Sequence, residues 1–152
     1  MAESAKAQLD SFIAKFTPEG ARNIRRALAK MRKRLPGAIE LAYDNYNFLV
    51  IGFGPTEKPS DAIFSLAAFA RGMNLFFLQN AGALPDPQHR LLGNGKVARH
   101  VVLENAGTLD QPAIQQLMKA ALQRAKAPID PKQKRKLVIR SVSAKQRPRR
   151  AS

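Results

Sequence analysis

One group of residues able to bind a ligand follows a predicted strand near the middle of the chain. Tyr43, Asp44, Asn45 and Tyr46, together with Asn47, bring phenol, carboxylate and amide groups close together. Such a cluster can line a small-molecule pocket with hydrogen-bond donors and acceptors. The same residues are equally typical of a well-bonded turn, because Asn and Asp favour turns. Both interpretations remain open at this point.

A second group is the Gly-Asn-Gly-Lys sequence that contains Gly93, Gly95 and Lys96 and precedes another predicted strand. Consecutive backbone N–H groups in such a turn can bind an anion. The sequence lacks the GxxxxGK[ST] spacing and the following helix of a P-loop. A tight turn with an exposed lysine is therefore the more ordinary interpretation.

Arg99 is the third candidate, because strand alternation places it on the apolar side with Val101 and Leu103. A guanidinium on an apolar face needs a partner, for which Glu40, Asp44 or a bound anion are candidates. The alternative is a structural role, in which the side chain is ion-paired or reaches the sheet edge. We expect the guanidinium to lie within salt-bridge distance of a carboxylate or to face a pocket.

No motif specifies a reaction or a metal. His89 and His100 are the only histidines, and neither has an Asp, Glu or His partner at i+3 or i+4 in a predicted helix; Asp86, three residues before His89, lies in a predicted loop. The chain contains no Cys, which excludes disulfides and thiolate chemistry. We therefore predict no catalytic residues, no metal ligands and no cofactor from the residues themselves.

The formal net charge is +15, and it is unevenly distributed. The stretch from Lys126 to Ser152 holds ten of the 26 Lys and Arg residues and one of the 11 acids. Such a density can attract nucleic acid without reading its sequence. The candidate contacts lie on the predicted second helix and in the tail: Arg22, Arg26, Lys134, Arg135, Lys136 and Arg149. The alternatives are a solvated, partly disordered tail, or docking of Leu137–Ile139 as an added edge strand.

These groups must be positioned by elements that hydrophobic periodicity predicts. Two helices come first, the second capped by Thr17 and led by Pro18, and a Pro112-led helix comes late. Between them lie five strands, predicted at 39–43, 48–53, 62–69, 73–78 and 97–103. This order predicts an α+β domain over residues 1–127 with a mostly antiparallel sheet, followed by a basic tail over 128–152.

The same periodicity predicts which residues are buried. In the first strand, Ile39, Leu41 and Tyr43 alternate with Glu40, Ala42 and Asp44, which predicts a half-buried strand. The predicted common core consists of Phe12, Ile24, Leu28, Val50, Phe64, Leu66, Leu75, Phe77, Val101 and Leu117.

Four stretches resemble the YdhG-like family, long described as a domain of unknown function. They are LDSFIAKF before a Pro-led helix, AYDNYNFLVIGF, DAIFSLAAFARGMNLFF, and LPDPQHRLLGNGKVARHVVLENAGTLDQPAIQQLMKAA, together covering roughly Gln8 to Arg124. The resemblance implies a small cytoplasmic α+β domain. Some members are described as iron chaperones that work like frataxin, so iron is the one cofactor that the resemblance implies. It supplies no catalytic motif.

Three functions follow as hypotheses. The first is a non-enzymatic binding protein for a small anionic ligand or a protein partner. The second is an iron chaperone, although iron delivery favours exposed carboxylates and this chain has only 11 acids. The third is nonspecific nucleic-acid binding. We also expect a cytoplasmic protein without membrane association, because the first residues lack a signal-peptide pattern and no apolar run approaches about 20 residues.

Overall fold

The computed structural model describes residues 3–151 and confirms the α+β class. The helices are α1 (Ala5–Ile13), α2 (Pro18–Arg34) and α3 (Pro112–Gln123). The strands are β1 (Ile39–Asp44), β2 (Leu49–Gly54), β3 (Phe64–Phe69), β4 (Gly72–Phe77), β5 (Arg99–Val102) and β6 (Lys136–Val142). Among the described helices, none combines the length and the apolar run needed to cross a membrane.

Local sequence explains how α2 begins. Thr17 is its N-cap, and the Thr17 hydroxyl accepts a hydrogen bond from the Gly20 N–H at 3.0 Å. Pro18 occupies the first helical turn, where a missing N–H costs nothing. This start fixes where the arginines of the first two helical turns lie relative to the sheet.

The strands form one six-stranded sheet in the order β5-β4-β3-β2-β1-β6. Neighbouring strands from β1 to β5 are antiparallel, whereas β6 lies parallel to β1. The sixth strand comes from the basic tail, so Leu137–Ile139 lie in the sheet and the strand count is one more than predicted. The sheet thus extends beyond β1 to a strand that the five apolar runs did not include.

All three helices contribute to one hydrophobic core on one face of the sheet. Nine of the ten predicted core residues belong to it. Val50 does not, because it pairs with Tyr43 and Ala67 on the opposite face and is half-buried. That prediction was wrong for Val50 because the apolar run in β2 gives no indication of which face each residue takes.

In a half-buried strand the polar residues are expected to point outward, toward solvent. In β1 they point inward, toward the core. Ala42 pairs with Ile51 in the core, so Glu40 and Asp44 also point toward the helices. Both carboxylates are 0% exposed. Their charges are tolerated there because basic side chains pair with each of them, as described below.

We call the opposite side of the sheet the open face. Cross-strand pairing places on it two rows of side chains, which run across the strands: Tyr43, Val50, Ala67, Asn74 and Val102; and Val138, Leu41, Gly52, Ser65, Phe76 and His100. The β2–β3 connection crosses part of this face, since a Cβ on Gly54 would lie 2.9 Å from the Ala62 Cα. None of the described strand residues on this face is acidic.

Candidate anion-binding site

Asp44 lies at the centre of a buried ion network at the end of β1. Its Oδ2 accepts a hydrogen bond from the Lys15 Nζ at 2.6 Å, and its Oδ1 accepts one from the Arg149 Nη2 at 2.9 Å. The side chains of Asp44 and Arg149 are 0% and 2% exposed. The carboxylate is therefore already neutralised from within the chain.

Two opposing effects act on the pKa of Asp44. Burial by itself would raise the pKa, because a charged carboxylate is poorly solvated inside a protein. Hydrogen bonds from Lys15, Arg149 and Gln146 outweigh burial and hold the pKa below its usual value. Asp44 is thus ionised at neutral pH and serves as an anchor for basic groups.

Residues 143–151, which we call the terminal segment, cover the turn after β1. The Ser143 N–H donates to the Asp44 carbonyl at 2.9 Å, and the Arg147 N–H donates to the Tyr46 carbonyl at 2.8 Å. The Arg149 Nη2 also donates to the Asn45 carbonyl at 2.6 Å. The Tyr43–Tyr46 cluster is therefore bound by the chain's own terminal segment. Arg149, predicted as a nucleic-acid contact, is buried instead.

Arg99 does not have the carboxylate partner that we expected. Its Nε donates to the Gly95 carbonyl at 2.8 Å, and within residues 3–151 it forms no salt bridge. It also lines none of the three cavities described. Register puts Arg99 and Glu40 in one row on the core face, but four strands apart, which is about 19 Å.

Both candidate partners of Arg99 are already paired. Glu40 binds the Arg32 guanidinium in a bidentate pair, with Nε–Oε2 and Nη2–Oε1 distances of 2.8 Å each. The hydrogen bond to Glu40 raises the pKa of Arg32, against a smaller opposing effect of burial. Asp44 is paired with Lys15 and Arg149. Neither carboxylate is therefore available to pair with Arg99 on β5.

The Gly-Asn-Gly-Lys loop lies beside β5, at the edge of the sheet farthest from β6. Gly93, Gly95 and Lys96 are exposed, and the Lys96 carbonyl accepts a hydrogen bond from the Gly82 N–H at 3.0 Å. β1, which leads into the Tyr43–Tyr46 cluster, is four strands away from β5, near the opposite edge of the sheet. The loop and the cluster therefore do not form one site. The structure therefore separates the predicted ligand-binding residues into two groups.

The predicted nucleic-acid contacts are also divided. Lys136 pairs with Ile39 at the start of β1, about 17 Å along the strand from Asp44. Its Nζ lies 2.7 Å from the Glu57 Oε2, and Lys136 is exposed, as Lys134 and Arg135 next to it are. Arg22 and Arg26 lie instead at a cavity near the opposite ends of the strands.

That cavity is one of two that adjoin at the β3–β4 turn. The first has a volume of about 410 Å³ and includes Arg22, Arg26 and Arg71, and the second, of about 510 Å³, includes Arg71, Arg147 and Arg150. Both are lined by Phe69, Ala70 and Arg71, so they lie on either side of the turn. We call the two cavities together the arginine groove.

The five arginines of the groove, at positions 22, 26, 71, 147 and 150, are all exposed. Among residues 3–151, none of them forms a salt bridge. Glu19 and Glu104 line the first cavity, and no carboxylate lines the second. The groove therefore carries five guanidinium groups against two carboxylates, and no salt bridge joins them among the described residues.

An aromatic pair forms part of the second cavity. Phe48 and Phe69 meet edge to face, with ring centroids 5.6 Å apart. Both are half-buried. A Cβ on Gly72 would lie 3.5 Å from the Phe69 Cζ, an ordinary van der Waals distance, so Gly72 lies directly beside the ring. Apolar ring surface thus lies directly beside Arg71, Arg147 and Arg150.

Sequence reasoning missed Arg71, Arg147 and Arg150 as a group. In the sequence, Arg71 lies in the short gap between the strands predicted at 62–69 and 73–78, and the other two lie in the stretch of high charge density. The one local signal was Phe69 two residues before an exposed arginine in a tight turn. The convergence itself depends on the docking of the terminal segment, which places residue 147 beside Tyr46, with the Arg147 guanidinium 5.6 Å from the ring centroid.

Within residues 3–151, no group of three or more His, Cys, Asp or Glu side chains is arranged to hold a metal ion. Comparisons with protein-family models, curated proteins and solved structures find no match to this chain. The YdhG-like resemblance and the iron hypothesis therefore remain predictions from sequence.

Proposed function

We propose that this protein is a non-enzymatic binding protein for a phosphate-bearing anion and that the arginine groove is its binding site. The observation that carries the proposal is the convergence of five exposed arginines, none of them in a salt bridge among the described residues, on two adjoining cavities. They come from α2, the β3–β4 turn and the terminal segment. Three separate parts of the fold thus contribute to one positive surface.

The chemistry of arginine supports a phosphate-bearing ligand. A guanidinium offers planar, paired N–H donors that match two oxygens of a phosphate, and it is more weakly hydrated than an ammonium group. Like charges held close together repel one another, so an anion that enters the groove relieves that repulsion. Arg71 is central to the proposal because it borders both cavities.

The iron-chaperone hypothesis receives no comparable support. The buried carboxylates Glu40 and Asp44 are each held by basic side chains. Asp110 is bonded to Lys30 and Arg34. Iron binding through any of these three groups would have to displace existing ion pairs, whereas an anion at the arginine groove displaces none of the described salt bridges.

Calorimetric titration with inorganic tripolyphosphate at low ionic strength tests the proposal. The double substitution Arg71→Ala, Arg150→Ala should weaken binding by at least tenfold. Arg135→Ala is a matched control, because it removes one exposed arginine, unpaired among the described residues, from the other end of β1. Failure of the unmodified protein to bind tripolyphosphate, or equal losses in the double variant and the control, would overturn the proposal.

A further inference from the structure

We infer that the ligand of the arginine groove is single-stranded nucleic acid, with phosphates on the arginines and bases on aromatic rings of the open face. This inference rests on the proposed function, because it assigns a ligand class to the same groove. It adds a second surface, the open face, which phosphate binding alone does not require.

The first step is the shape of the positive surface. The two cavities adjoin at Phe69, Ala70 and Arg71 and continue from one side of the β3–β4 turn to the other. Arg22 and Arg26 extend the surface along α2, and Arg147 and Arg150 extend it along the terminal segment. A ligand that contacts all five arginines must itself be extended and carry several negative charges, as a polynucleotide backbone does.

The second step is the position of the aromatic side chains. Phe48 and Phe69 border the same cavity as Arg71, Arg147 and Arg150. Single strands are bound without sequence preference where a positive groove follows the backbone and aromatic rings stack on the bases. A polyanion such as polyphosphate or heparin contains no bases that could stack on these rings. The rings therefore favour a nucleic acid over such a polyanion.

A second aromatic pair continues the surface across the open face. Phe76 on β4 and His100 on β5 are cross-strand partners, with ring centroids 5.0 Å apart and planes 31° apart. Phe76 pairs with Ser65, which precedes Phe69 by four residues, so the two aromatic pairs are separated by about 13 Å along the strands. The row between them contains Ala67, which is buried, with Val50 and Asn74 as its cross-strand neighbours.

The charge of the open face is compatible with this ligand. The described strand residues on that face include no Asp or Glu. A duplex keeps its bases stacked inside the helix, whereas a single strand can turn them outward onto a protein surface. The arrangement therefore favours single strands over duplexes, with little dependence on sequence because every base has a stacking face.

Fluorescence anisotropy with a labelled single-stranded DNA oligonucleotide of mixed sequence tests the inference, using the whole chain. The unlabelled competitors are a duplex of the same sequence and a heparin fragment of similar charge. We expect the single strand to bind more tightly than either, with a log–log salt slope approaching about −3.5 if five phosphates are contacted. Phe69→Leu and Phe76→Leu should each weaken single-strand binding by about tenfold.

Tripolyphosphate affinity separates this inference from the proposed function. Phe76→Leu should bind tripolyphosphate as the unmodified protein does, because Phe76 lines neither cavity of the groove, and unchanged melting temperatures would show that both Phe→Leu variants remain folded. Val142→Ala is the matched control, because it removes an exposed apolar group on β6, at the opposite edge of the sheet from Phe76 and His100, and Val142 lines neither cavity. Equal affinity for heparin, duplex and single strand, or Phe→Leu variants that bind single strands normally, would overturn the inference and leave phosphate binding intact. Absence of tripolyphosphate binding to the unmodified protein would overturn both the proposed function and this inference.

Discussion

The carboxylate of Asp44 and the guanidinium of Arg149 are 105 residues apart in sequence and 2.9 Å apart in space, and both are buried. The contact fixes the terminal segment against the end of β1. It places Arg147 and Arg150, on either side of Arg149, at the second cavity of the arginine groove. A structural ion pair thereby positions two residues of the proposed binding site.

Arg149→Ala should destabilise the protein by about 3 kcal/mol, because it leaves a buried carboxylate with one cationic partner instead of two. Urea denaturation at pH 7 measures the change. Arg150→Ala, one residue away and exposed, should change the free energy of unfolding by less than about 0.5 kcal/mol. Equal stability of the two variants would contradict the structural role of Arg149.

The stability contributed by Asp44 should depend on pH in the acidic range. Its pKa in the folded state is lowered, so this contribution is complete above the unfolded-state pKa of about 3.9 and is lost as pH falls through the folded-state pKa. Asp44→Asn should therefore be less stable than the unmodified protein at pH 7, and the difference should shrink below about pH 4. Urea midpoints of the two proteins from pH 7 to pH 2.5 measure the difference in stability. A difference that stays constant over that range would contradict the predicted contribution of the Asp44 charge.

Arg32→Ala should be far more damaging than Lys30→Ala on the same helix. Arg32 is the bidentate partner of Glu40, which is 0% exposed, so its removal leaves a buried charge and should cost about 3 kcal/mol. Lys30 pairs with Asp110, whose side chain is 49% exposed, and such surface pairs contribute about 0–1 kcal/mol. Thermal and urea denaturation of the two variants should rank them in this order, and the reverse ranking would refute it.

Deletion of all residues after Pro128 should lower the melting temperature by about 6–12 °C, if at least about 3 kcal/mol of stabilisation is lost. The deletion removes β6 from β1, removes Leu137 and Ile139 from the edge of the core, and takes Arg149 away from Asp44. A differential scanning measurement tests this. The double variant Lys134→Ala, Arg135→Ala should melt as the full chain does, and an unchanged melting temperature in the deletion would show that the strand contributes nothing.

The α+β class and the β3–β4 hairpin could be predicted because their signals are local. The apolar runs around residues 62–69 and 73–78 are separated by a short Arg-Gly turn, and α2 begins with a cap and a proline that are adjacent in sequence. By contrast, β6 combines four apolar residues with Lys136 and Arg140 in a strongly basic stretch, and nothing near them identifies β1 as a parallel partner.

The candidate site was less predictable, because partners distant in sequence determine it. Alternation in β1 favoured Ile39 and Leu41 as the inward residues, whereas Arg32, Lys15 and Arg149 supply charges that let Glu40 and Asp44 face the core instead. Arg71 and Arg150 meet at one cavity through tertiary docking, and no spacing rule in the sequence connects them.

The parallel pairing of β1 with β6 also has a consequence during synthesis. At roughly 5–20 residues per second, the ribosome completes β6 on the order of 5–20 s after β1. Throughout that interval the outer edge of β1 presents unpaired N–H and C=O groups, which can pair with other chains. The nascent protein therefore passes through an aggregation-prone stage, in which binding of a chaperone to the β1 edge would be most useful.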